Sequence, residues 1–238
     1  MSKGPLAVRW GAPPNLAPEA GALAYARVEL ENAGSVAWRP GINIAYHWLD
    51  LRGNPIVWDG KRTPAPPLAP GEGTTIDLPV RGPIPPGSYR LAFDVVAEKR
   101  AWFSALGSEM LELDLAVSPR GGEPDAHLPP EIEPTPAWFE QVRAAHAEGY
   151  GVVAGSIEWS SGVLHPRPRA LAPYAPGGGR VPGFGAPLVC PSVLPGIELE
   201  RLADVAGLPA FAAPQDEPWI YDGRAVLRAR PRSGHRPT

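Results

Sequence analysis

Proline or glycine breaks this chain so often that long regular helices are excluded. There are 33 prolines and 27 glycines among 238 residues, about twice the usual share, and each type either ends a helix or frees the backbone to turn. Such punctuation favours short strands joined by tight turns. The hydrophobic content of 44%, against 20% charged residues, is still enough to bury a core, so the chain reads as a folded protein rather than a disordered one.

Residues 20 to 118 carry the two-residue period of strands that are buried on one side. In AYARVELEN, Ala24, Ala26, Val28 and Leu30 share one face, while Tyr25, Arg27, Glu29 and Glu31 share the other. The same alternation gives Ile42, Ile44, Tyr46 and Trp48; Ile76, Leu78 and Val80; Tyr89, Leu91, Phe93 and Val95; and Leu111, Leu113, Leu115 and Val117. Shorter candidates lie at Leu6 to Trp10 and Pro55 to Trp58. With turns at LRGNP, APGEG and IPPGS, about seven strands predict an immunoglobulin-like antiparallel β-sandwich over residues 1–118, in a mainly β protein. Tyr89, just after IPPGS, is placed for a tyrosine corner, and Trp48 for the core.

The run SPRGGEPDAHLPPEIE has no periodicity, so residues 119–134 read as a linker. Residues 135–238 are expected to form an irregular Pro/Gly-rich region with one helix-strand unit, packed on the sandwich. In TPAWFEQVRAAHAEG, Thr135 can cap a helix, Pro136 fits its first turn and Gly149 supplies the stop, with Trp138, Val142 and Ala145 on one stripe. YGVVAGSIEW follows as a buried strand. The segment from His165 to Gly196 is too dense in Pro and Gly for regular elements, and Asp222-Gly223 reads as a hairpin turn.

Several chemistries drop out on residue types. A net charge of −3 and a pI near 6.0 give no general attraction for nucleic acid. No apolar run is long enough for a membrane span and none near the start resembles a signal peptide, so the expectation is a cytoplasmic protein without a membrane span. Cys190 has no partner for a disulfide and sits among apolar residues, as a structural thiol does. The histidines His47, His127, His146, His165 and His235 are scattered singly, without metal-ligand spacing. No nucleotide or dinucleotide motif occurs, and GGGR at Gly177 to Arg180 lacks the strand and helix that a phosphate loop requires. No catalytic set, metal or cofactor is therefore expected. Asp50, Asp59, Asp94 and Glu98 come from strands or strand ends and can meet at one end of the sandwich, as rim charges or as a carboxylate site. The arginines of the C-terminal tail, Arg224, Arg228, Arg230, Arg232 and Arg236, read as a solvated tail or as a contact for an anionic surface.

Aromatic residues are the better lead. Eight tryptophans are present, and Trp10, Trp38, Trp48, Trp58 and Trp102 fall in the sandwich half, more than one core uses. Trp38, Trp58, Asp59, Arg62, Trp102 and Phe103 are the candidate ligand-binding residues. Aromatic faces suit sugar rings or a protein partner, and the flanking charges supply hydrogen bonds. The other use for these side chains is to cap the open ends of the sandwich.

The series VELENAGSVAWRPG, with Asn32, Gly34 and Trp38, resembles the NxGxxxW opening of bacterial immunoglobulin-like domains related to the four-tryptophan domain of selective-autophagy receptors. The resemblance runs through YHWLDLRGNPIVWDGKRTPAPPLAPGEG and GPIPPGSYRLAFDVVAEKRAWFSALGS, over about residues 20–118. It looks like a pattern attached to glycosyltransferases and methyltransferases of bacterial surface-polysaccharide assembly. What it implies is a non-catalytic accessory module whose partner is a glycan, a glycosyltransferase or another protein. WFEQVRAAHAEGYGVVAGSIE, residues 138–158, is similar to a helix-strand step of family 2 glycosyltransferases, although their DxD metal motif is absent. Two alternatives stand beside the binding module: a reduced glycosyltransferase, whose pocket would gather His146, Glu158 and nearby carboxylates, and an assembly protein that uses its surplus aromatics as an interface.

Overall fold

The computed structural model describes residues 5–159, 180–182, 187–205 and 207–229. The chain divides into two compact units, Met1–Ser118 and Pro119–Thr238. His165, His235, Gly177 to Gly179 and Arg230, Arg232 and Arg236 lie outside the described residues.

The first unit is an all-β sandwich, as its alternation predicts. Its strands are β1 (Val8–Trp10), β2 (Leu23–Asn32), β3 (Ile42–Leu49), β4 (Pro55–Val57), β5 (Thr63–Pro64), β6 (Gly73–Arg81), β7 (Gly87–Ala97), β8 (Ala101–Trp102) and β9 (Leu111–Val117). One sheet is ordered β1-β2-β6; the other runs β4-β3-β7-β8, with β5 also on β3 and β9 also on β7. Every pairing is antiparallel. Because side chains alternate along a strand, Val28, Leu78 and Val80 from one sheet meet Ile44, Trp48, Leu91, Phe93 and Val95 from the other in a single core. The Trp48 indole N–H donates to the Arg81 carbonyl at 2.8 Å, so its one polar atom costs nothing inside. Tyr89 forms the expected corner, its hydroxyl donating to the Pro85 carbonyl at 2.7 Å. On β3 and β7 the complementary set, Asn43, Ala45 and His47 with Ala92, Asp94 and Val96, faces away from that core.

The second unit departs from the expected irregular chain. It contains β10 (Asp125–Ala126), β11 (Ile132–Pro134), α1 (Pro136–Glu148), β12 (Val152–Trp159), β13 (Arg180–Pro182), β14 (Leu188–Val189), β15 (Ser192–Val193), β16 (Glu200–Arg201), β17 (Ala210–Ala212) and β18 (Trp219–Ala229). A six-stranded sheet is ordered β10-β15-β12-β18-β11 with β13 on β18, and a smaller sheet is β14-β17-β16. The 119–134 linker is thus corrected: β10 pairs with β15 and β11 with β18, so this segment is an edge of the second unit. β10 and β11, with two and three residues, carry no legible period, which is why this segment reads as a linker in the sequence. The Asp222-Gly223 hairpin is also corrected, since both residues lie inside β18, which continues parallel to β12 past a register shift at Gly155/Ser156. The unit has its own core, in which Trp138, Val142 and Ala145 of α1 meet Val152, Val153, Ile220 and Leu227. Helix α1 begins and ends as predicted: the Thr135 hydroxyl accepts from the Trp138 N–H and Gly149 closes the last turn with φ of 124°.

His146 ties α1 to that sheet. Its Nδ1–H donates to the Tyr150 carbonyl at 2.7 Å, which leaves Nε2 as acceptor for the Ser192 hydroxyl at 2.9 Å. Both side chains are buried, so this serine-histidine contact is structural and has no access to a substrate. Burial pushes the imidazole down to about 4, against the raising effect of the Tyr150 bond. The unfolded chain binds that proton near 6.5, so the contribution is complete above about pH 6.5 and is lost as pH falls toward 4, by about 3 kcal/mol. Denaturant midpoints of the second unit should therefore drop between pH 6.5 and 4, and a His146→Gln variant should have a flatter profile. Equal wild-type midpoints at the two ends would contradict this.

Candidate functional site

The outer face of the β4-β3-β7-β8 sheet carries an aromatic and charged cluster. Between β4 and β5 the edge of the sheet bulges over residues 58 to 62, and such bulges re-aim side chains at an edge. The Gly60 N–H donates to the Tyr46 carbonyl at 2.9 Å, pinning the bulge to β3. A Cβ at Gly60 would stand 2.5 Å from the Tyr46 ring, so a glycine is needed there. The bulge turns Trp58 over His47, the outward residue of β3. The rings are stacked, with centroids 4.3 Å apart and planes 20° apart, and His47 Nδ1 faces the Trp58 carbonyl.

Trp58 is consequently a supported platform. One indole face lies on His47, yet the residue is 48% exposed, so the opposite face is turned to solvent. Trp102 on β8 closes one side, edge-on to both rings at 4.8 Å from His47 and 6.4 Å from Trp58. Trp102 is held by its ladder pairing with Val96, and two residues on the buried Asp94 carboxylate accepts from the Ser104 N–H at 3.2 Å and from its hydroxyl.

Charged groups form the rim. Arg62 reaches Asp59 through Nε at 3.1 Å and Nη2 at 2.7 Å, and Glu98 through Nη1 at 2.6 Å. Its guanidinium lies 5.5 Å from the Trp102 ring centroid, a cation-π contact. The Arg62 hydrogen bond, with a second from Asn43 at 2.6 Å, holds Glu98 below the usual carboxylate range. These side chains are half-exposed, so the network positions groups more than it stabilises the fold. Planar fixed donors and acceptors beside a free indole face can take the hydroxyls of a flat ligand.

The six candidate residues separate cleanly. Trp58, Asp59, Arg62 and Trp102 come together on this face. Trp38 and Phe103 do not join them: they are 1% and 0% exposed and pack edge-to-face at 5.6 Å inside the core. Of the four carboxylates, Asp59 and Glu98 meet on Arg62, Asp94 is buried against Ser104, and Asp50 closes its own turn with Arg52 and Asn54. Among the described residues no group of three His, Cys, Asp or Glu is placed to hold a metal. The residue the sequence reasoning missed is His47. Its signal was its position on the polar side of INIAYHWLD, next to the core residues Tyr46 and Trp48.

In the second unit no catalytic grouping of His146 with Glu158 forms. His146 contacts Ser192, the ladder partner of Val153, while Glu158 lies five residues on, roughly 16 Å along the strand, and faces Arg228 at 3.5 Å. Burial pushes the Cys190 thiol up to about 12, which keeps it inert. Arg224 and Arg228 of the tail are engaged by Asp222 and Glu158.

No protein-family model matches the chain, and no curated protein does. Among solved structures, the chain is similar to the CARDB domain of PF1109 from Pyrococcus furiosus, with 19% identity over 49% of this chain and 97% of that one, at a TM-score of 0.33. It is also similar to a beta-glucosidase from Listeria innocua, with 13% identity over 46% of this chain and 15% of that one, at a TM-score of 0.31.

Proposed function

We propose that the first unit is a non-catalytic glycan-binding module in bacterial surface-polysaccharide assembly, and that a sugar ring lies on the free face of Trp58. The observation that carries this reading is the platform itself, an indole pinned from beneath by His47 and left open above. The C–H face of a pyranose stacks on such a surface, and the Asp59-Arg62-Glu98 rim offers paired acceptors and donors for vicinal hydroxyls. The sequence resemblance of residues 20–118 to modules attached to polysaccharide-assembly enzymes supports the bacterial-glycan setting.

The test is tryptophan fluorescence of the full chain titrated with bacterial oligosaccharides. A saturable shift is expected, and Trp58→Ala should weaken binding at least about tenfold, because stacking and the packing behind it are lost together. The same variant should change the unfolding free energy by no more than about 1 kcal/mol, as is normal for a half-exposed side chain. A protein captured through the same face, with no response to any sugar, would replace the glycan by a protein partner.

A further inference from the structure

We infer that His47 is the positioning residue of the Trp58 platform and performs that role only as the neutral imidazole, so that occupancy of the platform is linked to proton uptake at a side chain that touches no ligand. This rests on the binding reading above for its ligand and on geometry for its coupling.

His47 is fully buried and makes two contacts with the residue it supports, the ring stack and the Nδ1 contact with the Trp58 carbonyl. A carbonyl can only accept, so Nδ1 carries the hydrogen and Nε2 is the bare nitrogen. Nε2 is buried and meets no hydrogen-bond partner among the described residues. Protonation would place a second N–H there with nothing to receive it, and a charge in a site closed to water.

The surrounding ionisable groups do not relieve this. Asp59 favours the charged form, but burial outweighs it and holds His47 below the usual histidine value. Arg62, over Trp102, is itself paired with Asp59 and Glu98. On β7, Asp94 is committed to Val95 and Ser104, and just past its end Glu98 is committed to Arg62 and Asn43. Glu112 of β9 is one strand farther away, opposite Ala92, and pairs with Arg90. An imidazolium at position 47 therefore gains most by swinging Trp58 away and admitting water. A ligand seated on Trp58 seals the site further and favours the neutral ring, so by linkage affinity falls as pH falls.

The test follows histidine ring and indole N–H signals of the full chain by NMR between about pH 8 and 5. The signals are assigned by their loss in His47→Gln and Trp58→Phe. The Trp58 indole signal should move with the midpoint of the His47 ring. A Trp58 signal that stays fixed through that titration overturns the inference, and Trp58→Phe leaves this readable even if His47→Gln folds poorly. In the binding arm, an oligosaccharide that shifts fluorescence near neutral pH should bind at least about fivefold more weakly near pH 5. His47→Gln, which keeps an N–H donor but does not titrate, should bind equally at both. Equal wild-type affinities at the two pH values also overturn it. If no oligosaccharide binds while Trp58 still tracks His47, the coupling stands and the glycan reading fails.

Discussion

Trp38→Ala lowers the stability of the first unit by about 4 kcal/mol, the range for truncating a buried tryptophan. Trp38 is 1% exposed and its ring stands edge-on to Phe103, so removing it leaves a cavity and an unsupported aromatic neighbour. Its indole N–H is buried without a hydrogen-bond partner among the described residues. Trp38→Phe therefore removes an unsatisfied donor along with some volume, and its cost should stay near 1–2 kcal/mol. Urea unfolding monitored by circular dichroism separates the three variants: a large loss for Trp38→Ala, a small one for Trp38→Phe, and almost none for Trp58→Ala. Equal, small losses for Trp38→Ala and Trp58→Ala would mean that Trp38 is not a core residue. The contrast matters because both positions are tryptophans beside turns, and only one of the two is exposed to a ligand.

Gly155→Ala is the second large effect, at about 3 kcal/mol, and it falls on the other unit. β12 and β18 run parallel through the middle of the sheet until Gly155, opposite Asp222; the next pair is Ser156 with Val226. The extra residues of β18 fold in against β12, and a Cβ on Gly155 would collide with the Ala225 carbonyl oxygen. The bulge is fastened on both sides. Ser156 Oγ donates to the Gly223 carbonyl at 2.9 Å, and the fully buried Asp222 carboxylate accepts from the Arg224 N–H at 3.0 Å and from Arg180 Nε at 2.8 Å. Two charge-assisted partners hold Asp222 below the usual carboxylate range despite its burial. Neither strand can retreat without breaking these bonds, so the methyl group has to part the ladder. Amide hydrogen exchange is the direct measurement: protection should fall along β12 and β18 while β3 and β7 serve as internal controls. Unchanged protection in β12 would show that the bulge has room to give.

What the sequence alone determined was the long strands of the sandwich and helix α1; β18, just as long, reads instead as a hairpin because Asp222-Gly223 interrupts its pattern. The strands of the sandwich core are set by a two-residue period that holds for five residues or more, α1 by Thr135, Pro136 and Gly149, and the tyrosine corner by its place after IPPGS. In each, the signal is local, since burial on one face and the cap at an end are properties of neighbouring residues. Three matters were decided only in the tertiary structure. Strands of two or three residues such as β10, β14 and β15 exist because a partner strand supplies their hydrogen bonds, and they are too short for any period. Trp38 and Trp58 read alike in the sequence, because burial depends on what lies across the fold. The platform brings residues 47, 58, 62, 98 and 102 together through two strand pairings and one bulge, and His47 gains its role from the ring laid over it.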